Sequence, residues 1–115
     1  MIKKIISGGL PGVELAALDA AIKLDIPHEG WTYKSRKTEN GELPEQYNVK
    51  EIVNPSYFER LKKNIISSDG IVILTYGQLI RGSNTIKDLA NKHNKPCLLL
   101  ELNQVFYNLM NNVGI

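Results

Sequence analysis

Apolar residues in this chain gather in short runs that alternate with stretches of helical period. Ile2-Lys3-Lys4-Ile5-Ile6 reads as a first strand, closed by the turn Ser7-Gly8-Gly9-Leu10-Pro11-Gly12. Val13, Ala16, Ala17, Ala20, Ala21 and Leu24 then recur at helical spacing, which predicts a helix from Val13 to Leu24 whose small residues lie close against a sheet. Asp25-Ile26-Pro27 stops it. Asn54-Pro55 reads as an N-cap followed by proline at the first helical position, opening a second helix with Tyr57 or Phe58, Leu61 and Ile65 on its inner face. Ser67-Ser68-Asp69-Gly70 ends that helix. Ile71 to Leu74 and Cys97 to Leu100 are continuous apolar runs, as expected of central strands covered on both faces. Between them lie a turn from Gly77 to Thr85 and a helix from Ile86 to His93, and a last helix is expected from about Gln104. Strand and helix in alternation argue for an α/β protein with parallel strands.

The stretch from Glu29 to Val53 breaks this pattern: it is long, polar and almost without periodicity. It reads either as a solvated surface loop or as a loop that covers a ligand, and Trp31 and Tyr47 lean toward the second, because aromatic residues suit a flexible linker poorly.

Composition adds limits. One domain, residues 1–115, is expected from this length, with 43% hydrophobic and 23% charged residues. A formal charge of +2 gives no support for a nucleic-acid surface. The apolar start ends at Gly8-Gly9, far short of a membrane span or signal peptide, so the cytoplasm is the expected compartment. The single cysteine, Cys97, has no internal disulfide partner and is expected to be a buried small side chain.

The candidate chemistry lies in the two glycine-rich turns. Each follows a strand and precedes a helix, where unpaired backbone N–H groups converge and glycine lets a ligand approach them. This geometry favours a phosphate or another anion, and turns that follow adjacent parallel strands are expected at one edge of the sheet. Ser83, Asn84 and Thr85 serve equally as helix N-caps. Lys34, Arg36 and Lys37 form a charge cluster that is either solvated or folded over the pocket. His28 and His93 have no partners at metal-ligand spacing, and no metal site is assigned. The chain has no Gly-x-Ser-x-Gly elbow, no lysine after Gly12 of the P-loop kind and no paired carboxylates.

Several motifs carry a resemblance. Ser7-Gly8-Gly9-x-x-Gly12-Val13 with Ala17-Leu18-Asp19-Ala20-Ala21, Ile26-Pro27-His28-x-Gly30-Trp31-x-x-Lys34-x-Arg36, Glu39-x-Gly41-x-x-Pro44-x-x-Tyr47, Asn64 and Ser68-Asp69-Gly70 resemble the putative molybdenum carrier family, a circularly permuted, Rossmann-like branch of the SLOG nucleotide-binding superfamily. The resemblance runs from Ile5 to about Leu102 and is most specific from Pro27 to Tyr47. It implies a Rossmann-like three-layer sandwich with a mainly parallel sheet of about four strands, and a pocket for a nucleotide-derived or phosphorylated ligand, with molybdenum cofactor as one candidate. The candidate binding residues, read from the two turns and the charge cluster, are Ser7, Gly8, Gly9, Gly12, Lys34, Arg36, Gly77, Gly82, Ser83, Asn84 and Thr85.

The chain also departs from the family. Leu10-Pro11 stands where Gln-Thr is usual, exchanging polar groups for carbon and removing a backbone donor. Glu14-Leu15 replaces Asp-Arg, so a cation is missing, and Arg81 is the candidate replacement. The family continues past a final strand, whereas this chain stops at Asn112-Val113-Gly114-Ile115, so its sheet is expected to be one strand shorter or the protein short. A binding module is the favoured function. A nucleotide-processing enzyme with Glu14 or Glu39 as acid or base, and an interaction or homo-oligomer-building module that has lost its ligand, are the alternatives.

Overall fold

A computed structural model describes residues 2–53, 56–75 and 81–102, with the side chains of 81–83 excepted. The chain divides into two compact units, Met1–Ser68 and Asp69–Ile115.

In the first unit, β1 (Ile5–Ile6) pairs in parallel with β2 (His28–Glu29), and the ladder extends through Ser7 N–H to the Glu29 carbonyl at 3.0 Å. Helix α1 (Val13–Lys23) forms the crossover. It buries Leu18 and Ala21 completely, while Val13 and Leu24 are exposed. Of the face expected from Val13, Ala16, Ala17, Ala20, Ala21 and Leu24, Ala21 is buried and Ala17 half-buried, while Val13, Ala16, Ala20 and Leu24 are exposed, so the packed side is turned toward Leu15 and Leu18. An alanine-rich helix has little hydrophobic contrast, so the bulk of Leu15 and Leu18 decides which side packs. Asp25, in the left-handed region at φ 57°, turns the chain out of the helix.

The stretch expected as a loop is built instead from strands. β3 (Trp31–Thr32) runs parallel to β6 (Lys50–Glu51), and β4 (Lys37–Thr38) forms a hairpin with β5 (Gly41–Glu42) across Glu39-Asn40. A single 3₁₀ turn, Lys34–Arg36, connects β3 to β4. Leu43, Tyr47 and Val49 join Leu18 in the core, with Leu15 packed against them. Strands two residues long cannot display alternation, which is why periodicity did not reveal them.

Helix α2 spans Tyr57–Ile66 and is capped by Ser56, whose hydroxyl accepts from Glu59 N–H at 3.3 Å. The cap expected at Asn54 thus falls two residues later, on a Ser-x-x-Glu pattern; residues 54 and 55 lie outside the described ones. Leu61 and Ile65 face inward as expected, and so does Arg60.

The second unit is a strand–helix–strand crossover. β7 (Ile71–Thr75) pairs in parallel with β8 (Cys97–Glu101) over five residues, joined by α3 (Arg81–Lys92). Ile73, Leu89 and Ala90 are buried. Two expectations fail here. Cys97 is exposed, as are Val72 and Leu98, so among the described residues neither strand is covered on both faces. The helix also starts at Arg81 and not at Ile86, drawing Gly82 to Thr85 out of the expected turn. Gly77 and the last helix lie outside the described residues. Among the described residues, no helix is long and apolar enough to cross a membrane.

Candidate functional site at the first glycine-rich turn

The turn from Ser7 to Gly12 carries the chain from the end of β1 into α1. Ser7, Gly8 and Gly9 are buried. The Ser7 hydroxyl donates to the Glu14 carbonyl at 2.7 Å and so pins the turn to the first turn of the helix. Leu15 N–H donates to the Leu10 carbonyl at 2.9 Å. Gly12 stands at the N-cap with φ 101°, where a Cβ is strained, and no side chain caps the helix.

The principal feature of the site is Arg60, which the sequence reading missed. Its side chain is fully buried, and it meets Glu14 through two bonds, Nη1 to Oε1 at 2.7 Å and Nη2 to Oε2 at 3.2 Å. The Tyr33 and Tyr57 rings lie 5.1 and 5.5 Å from the guanidinium carbon. Burial by itself would push the arginine toward its neutral form, but the Glu14 carboxylate, assisted by the Tyr33 hydroxyl, more than offsets this and raises its pKa above the ordinary value. Arg60 Nε has no hydrogen-bond partner. A Cβ on Gly8 would overlap Arg60 Nη1 and come within 2.9 Å of the Trp31 carbonyl, so glycine here is what lets the guanidinium lie against the turn. The signal in the sequence is a polar stripe, Arg60, Asn64 and Ser68 at intervals of four, beside the apolar face of α2.

Neighbouring residues hold this arrangement in place. Asn64 accepts from Trp31 N–H at 2.8 Å and donates to the Trp31 carbonyl at 3.1 Å, tying α2 to β3. Gly30, absent from the expected binding residues, packs so tightly that a Cβ would overlap the Ser7 carbonyl. Beside it lies a small pocket of about 110 Å³, lined by Ile6, Glu29, Gly30, Trp31, Lys50 and Ser67. Lys63 and Lys50 place their ammonium groups 4.5 and 5.7 Å from the Trp31 ring centre.

The other expected binding residues fall in different settings. Gly9 faces the core: a Cβ there would meet Leu43 at 2.9 Å and Leu18 at 3.2 Å, so a bulky substitution at this position damages the fold. Lys34 is exposed on the 3₁₀ turn, next to Tyr33. Arg36 turns its guanidinium onto its own segment, donating to the carbonyls of Leu43 at 2.9 Å, Pro44 at 2.6 Å, Tyr47 at 2.8 Å and Val49 at 3.2 Å. In the second unit, Asn84 is exposed and Thr85 half-buried. Among the described residues, no group of three His, Cys, Asp or Glu side chains is placed to hold a metal ion.

Parallel strands joined by helical crossovers, with a glycine-rich turn leading from the first strand into the first helix, define a Rossmann-like α/β protein. Comparison with known proteins fixes the family. Residues 5–111 match the model of the circularly permutated YpsA SLOG family, and the chain belongs to that family. A crystal structure of a "Putative molybdenum carrier protein" from Syntrophus aciditrophicus SB is similar at 44% sequence identity with a TM-score of 0.85, over 90% of this chain and 65% of that one. No curated protein matches the chain.

Proposed function

We propose that the protein binds a small phosphorylated molecule, nucleotide-derived or a pterin phosphate such as molybdenum cofactor carries, at the turn between β1 and α1. The observation that carries this reading is the fully buried guanidinium of Arg60, held against Gly8 beside the N-terminus of an 11-residue helix. A helix N-terminus and an arginine fork are two chemistries suited to phosphate oxygens. Arg60 fills the role of the cation missing at position 15, for which Arg81 was the sequence candidate. Lys34, exposed beside Tyr33, adds a second positive charge for a ligand that extends past the turn.

The name of the similar crystal structure and the family membership support a small-molecule ligand. A pterin phosphate fits the turn through its phosphate, and the described residues offer its metal no ligand set. Binding is favoured over catalysis because Glu14 has both carboxylate oxygens on Arg60 and Glu39 is exposed at the tip of the β4–β5 hairpin.

The test uses Val13, which is 46% exposed in the first turn of α1. Val13→Asp adds a carboxylate that suits the helix dipole and repels an incoming phosphate. In calorimetric titration with adenosine monophosphate, binding is expected to weaken about tenfold or more while the folded protein is retained. Equal titrations for the two forms would remove the phosphate from this helix end. Mass spectrometry of the denatured protein, prepared without added ligand, identifies the molecule that co-purifies.

A further inference from the structure

We propose that Glu14 is an internal occupant of the anion site, holding Arg60 until the ligand's phosphate takes its place. The inference rests on the function proposed above and specifies how that site is gated. Arg60 has no exposed side-chain surface, whereas the Glu14 side chain is 34% exposed, so the carboxylate is the half of the pair that solvent and ligand reach. Glu14 belongs to the first turn of α1. Both features that attract a phosphate, the guanidinium and the helix N-terminus, therefore already face a carboxylate.

The hydrogen-bond count points to a ligand as well. Glu14 offers two acceptor oxygens and satisfies both Nη atoms, which leaves the buried Nε–H without a partner. A terminal phosphate brings three oxygens and a larger charge, and seated on the Nε–Nη edge of the fork it would give the unpaired Nε–H an acceptor. Gly8 keeps the approach free of side chain, since a Cβ there would overlap Nη1 and lie 2.5 Å from Glu14 Oε1. Tyr33 and Tyr57 hold the guanidinium in place during the exchange. Movement of Glu14 is then part of binding, and its competition weakens the apparent affinity of the native protein.

Glu14→Gln keeps an amide oxygen for Arg60 and removes the competing charge. Calorimetric titrations of wild type and Glu14→Gln with inorganic phosphate and with adenosine monophosphate are expected to show binding about tenfold or more tighter in the variant. Phosphate should also raise the melting temperature of Glu14→Gln more than that of wild type, since it restores the lost counter-charge. Arg60→Lys should lose the gain in the Glu14→Gln background, because an ammonium cannot present the fork. If the wild type binds and Glu14→Gln binds equally or more weakly, the exchange is wrong and the phosphate reading stands. If neither form responds to either probe, both fall. Should Glu14→Gln not fold, Glu14→Asp withdraws the carboxylate by one methylene and is expected to shift binding in the same direction by less; no shift there overturns the exchange.

Discussion

Truncating Arg36 separates a binding cation from a structural one. Its guanidinium donates four bonds to carbonyls of residues 43 to 49, the segment that supplies Leu43, Tyr47 and Val49 to the core. The bond to Pro44 is exposed and is discounted. The other three are partly buried, and charge-assisted bonds of this kind contribute about 1.5 kcal/mol each at the low end of their range. Truncation returns about 1.5 kcal/mol of side-chain entropy, leaving a net loss of about 3 kcal/mol for Arg36→Ala. That corresponds to roughly 10 °C or more in melting temperature. Arg36→Lys should lose most of the same stability, because one ammonium cannot reach carbonyls arranged around a fork. Urea unfolding gives the free energy, and hydrogen exchange at Leu43, whose N–H donates to the Arg36 carbonyl at 2.7 Å, gives the local effect. A stability change under about 0.5 kcal/mol, together with weakened phosphate binding, would refute the reasoning and return Arg36 to the ligand.

Four further substitutions or conditions test other joints. Gly30→Ala drives a Cβ into the Ser7 carbonyl, backbone against backbone, and is expected to cost about 3 kcal/mol or more in urea unfolding. Asn64→Leu strands both backbone polar groups of Trp31 and should cost about 2 to 4 kcal/mol, with a shifted Trp31 emission spectrum in the folded protein. The Tyr47 hydroxyl donates to Asp19 at 2.6 Å, and this bond together with burial raises its pKa above the ordinary 10.0. The protonated phenol is thus favoured in the folded state, so its contribution is complete below pH 10.0 and lost as the pH rises through the folded value. Tyr47→Phe should flatten that alkaline fall in melting temperature. The double variant Leu10→Gln, Pro11→Thr restores a backbone donor and two polar groups at the mouth of the turn and is expected to bind adenosine monophosphate roughly tenfold more tightly; tighter binding by the native pair would indicate adaptation to a more apolar ligand.

By itself the sequence determined the α/β class, the strand-to-helix turn at Ser7 to Gly12 and the family motifs, because each is written in contiguous residues whose local preferences agree. Glycine after a strand, a helical period and a proline stop are properties of neighbours in the chain. Only the tertiary structure decided the rest. Periodicity says which residues share a face and not what covers it, so Cys97 and Leu98 read as central and are exposed. The segment from Glu29 to Val53 looked structureless because its strands are only two residues long, and β2, β3 and β6 gain their pairing from partners about twenty residues away. Lys34, Arg36 and Arg60 are alike as letters, yet one faces solvent, one binds its own backbone and one is buried against Gly8 with Glu14, 46 residues earlier. Burial and the counter-charge set what a cation does, and both are assembled by contacts that no stretch of sequence contains.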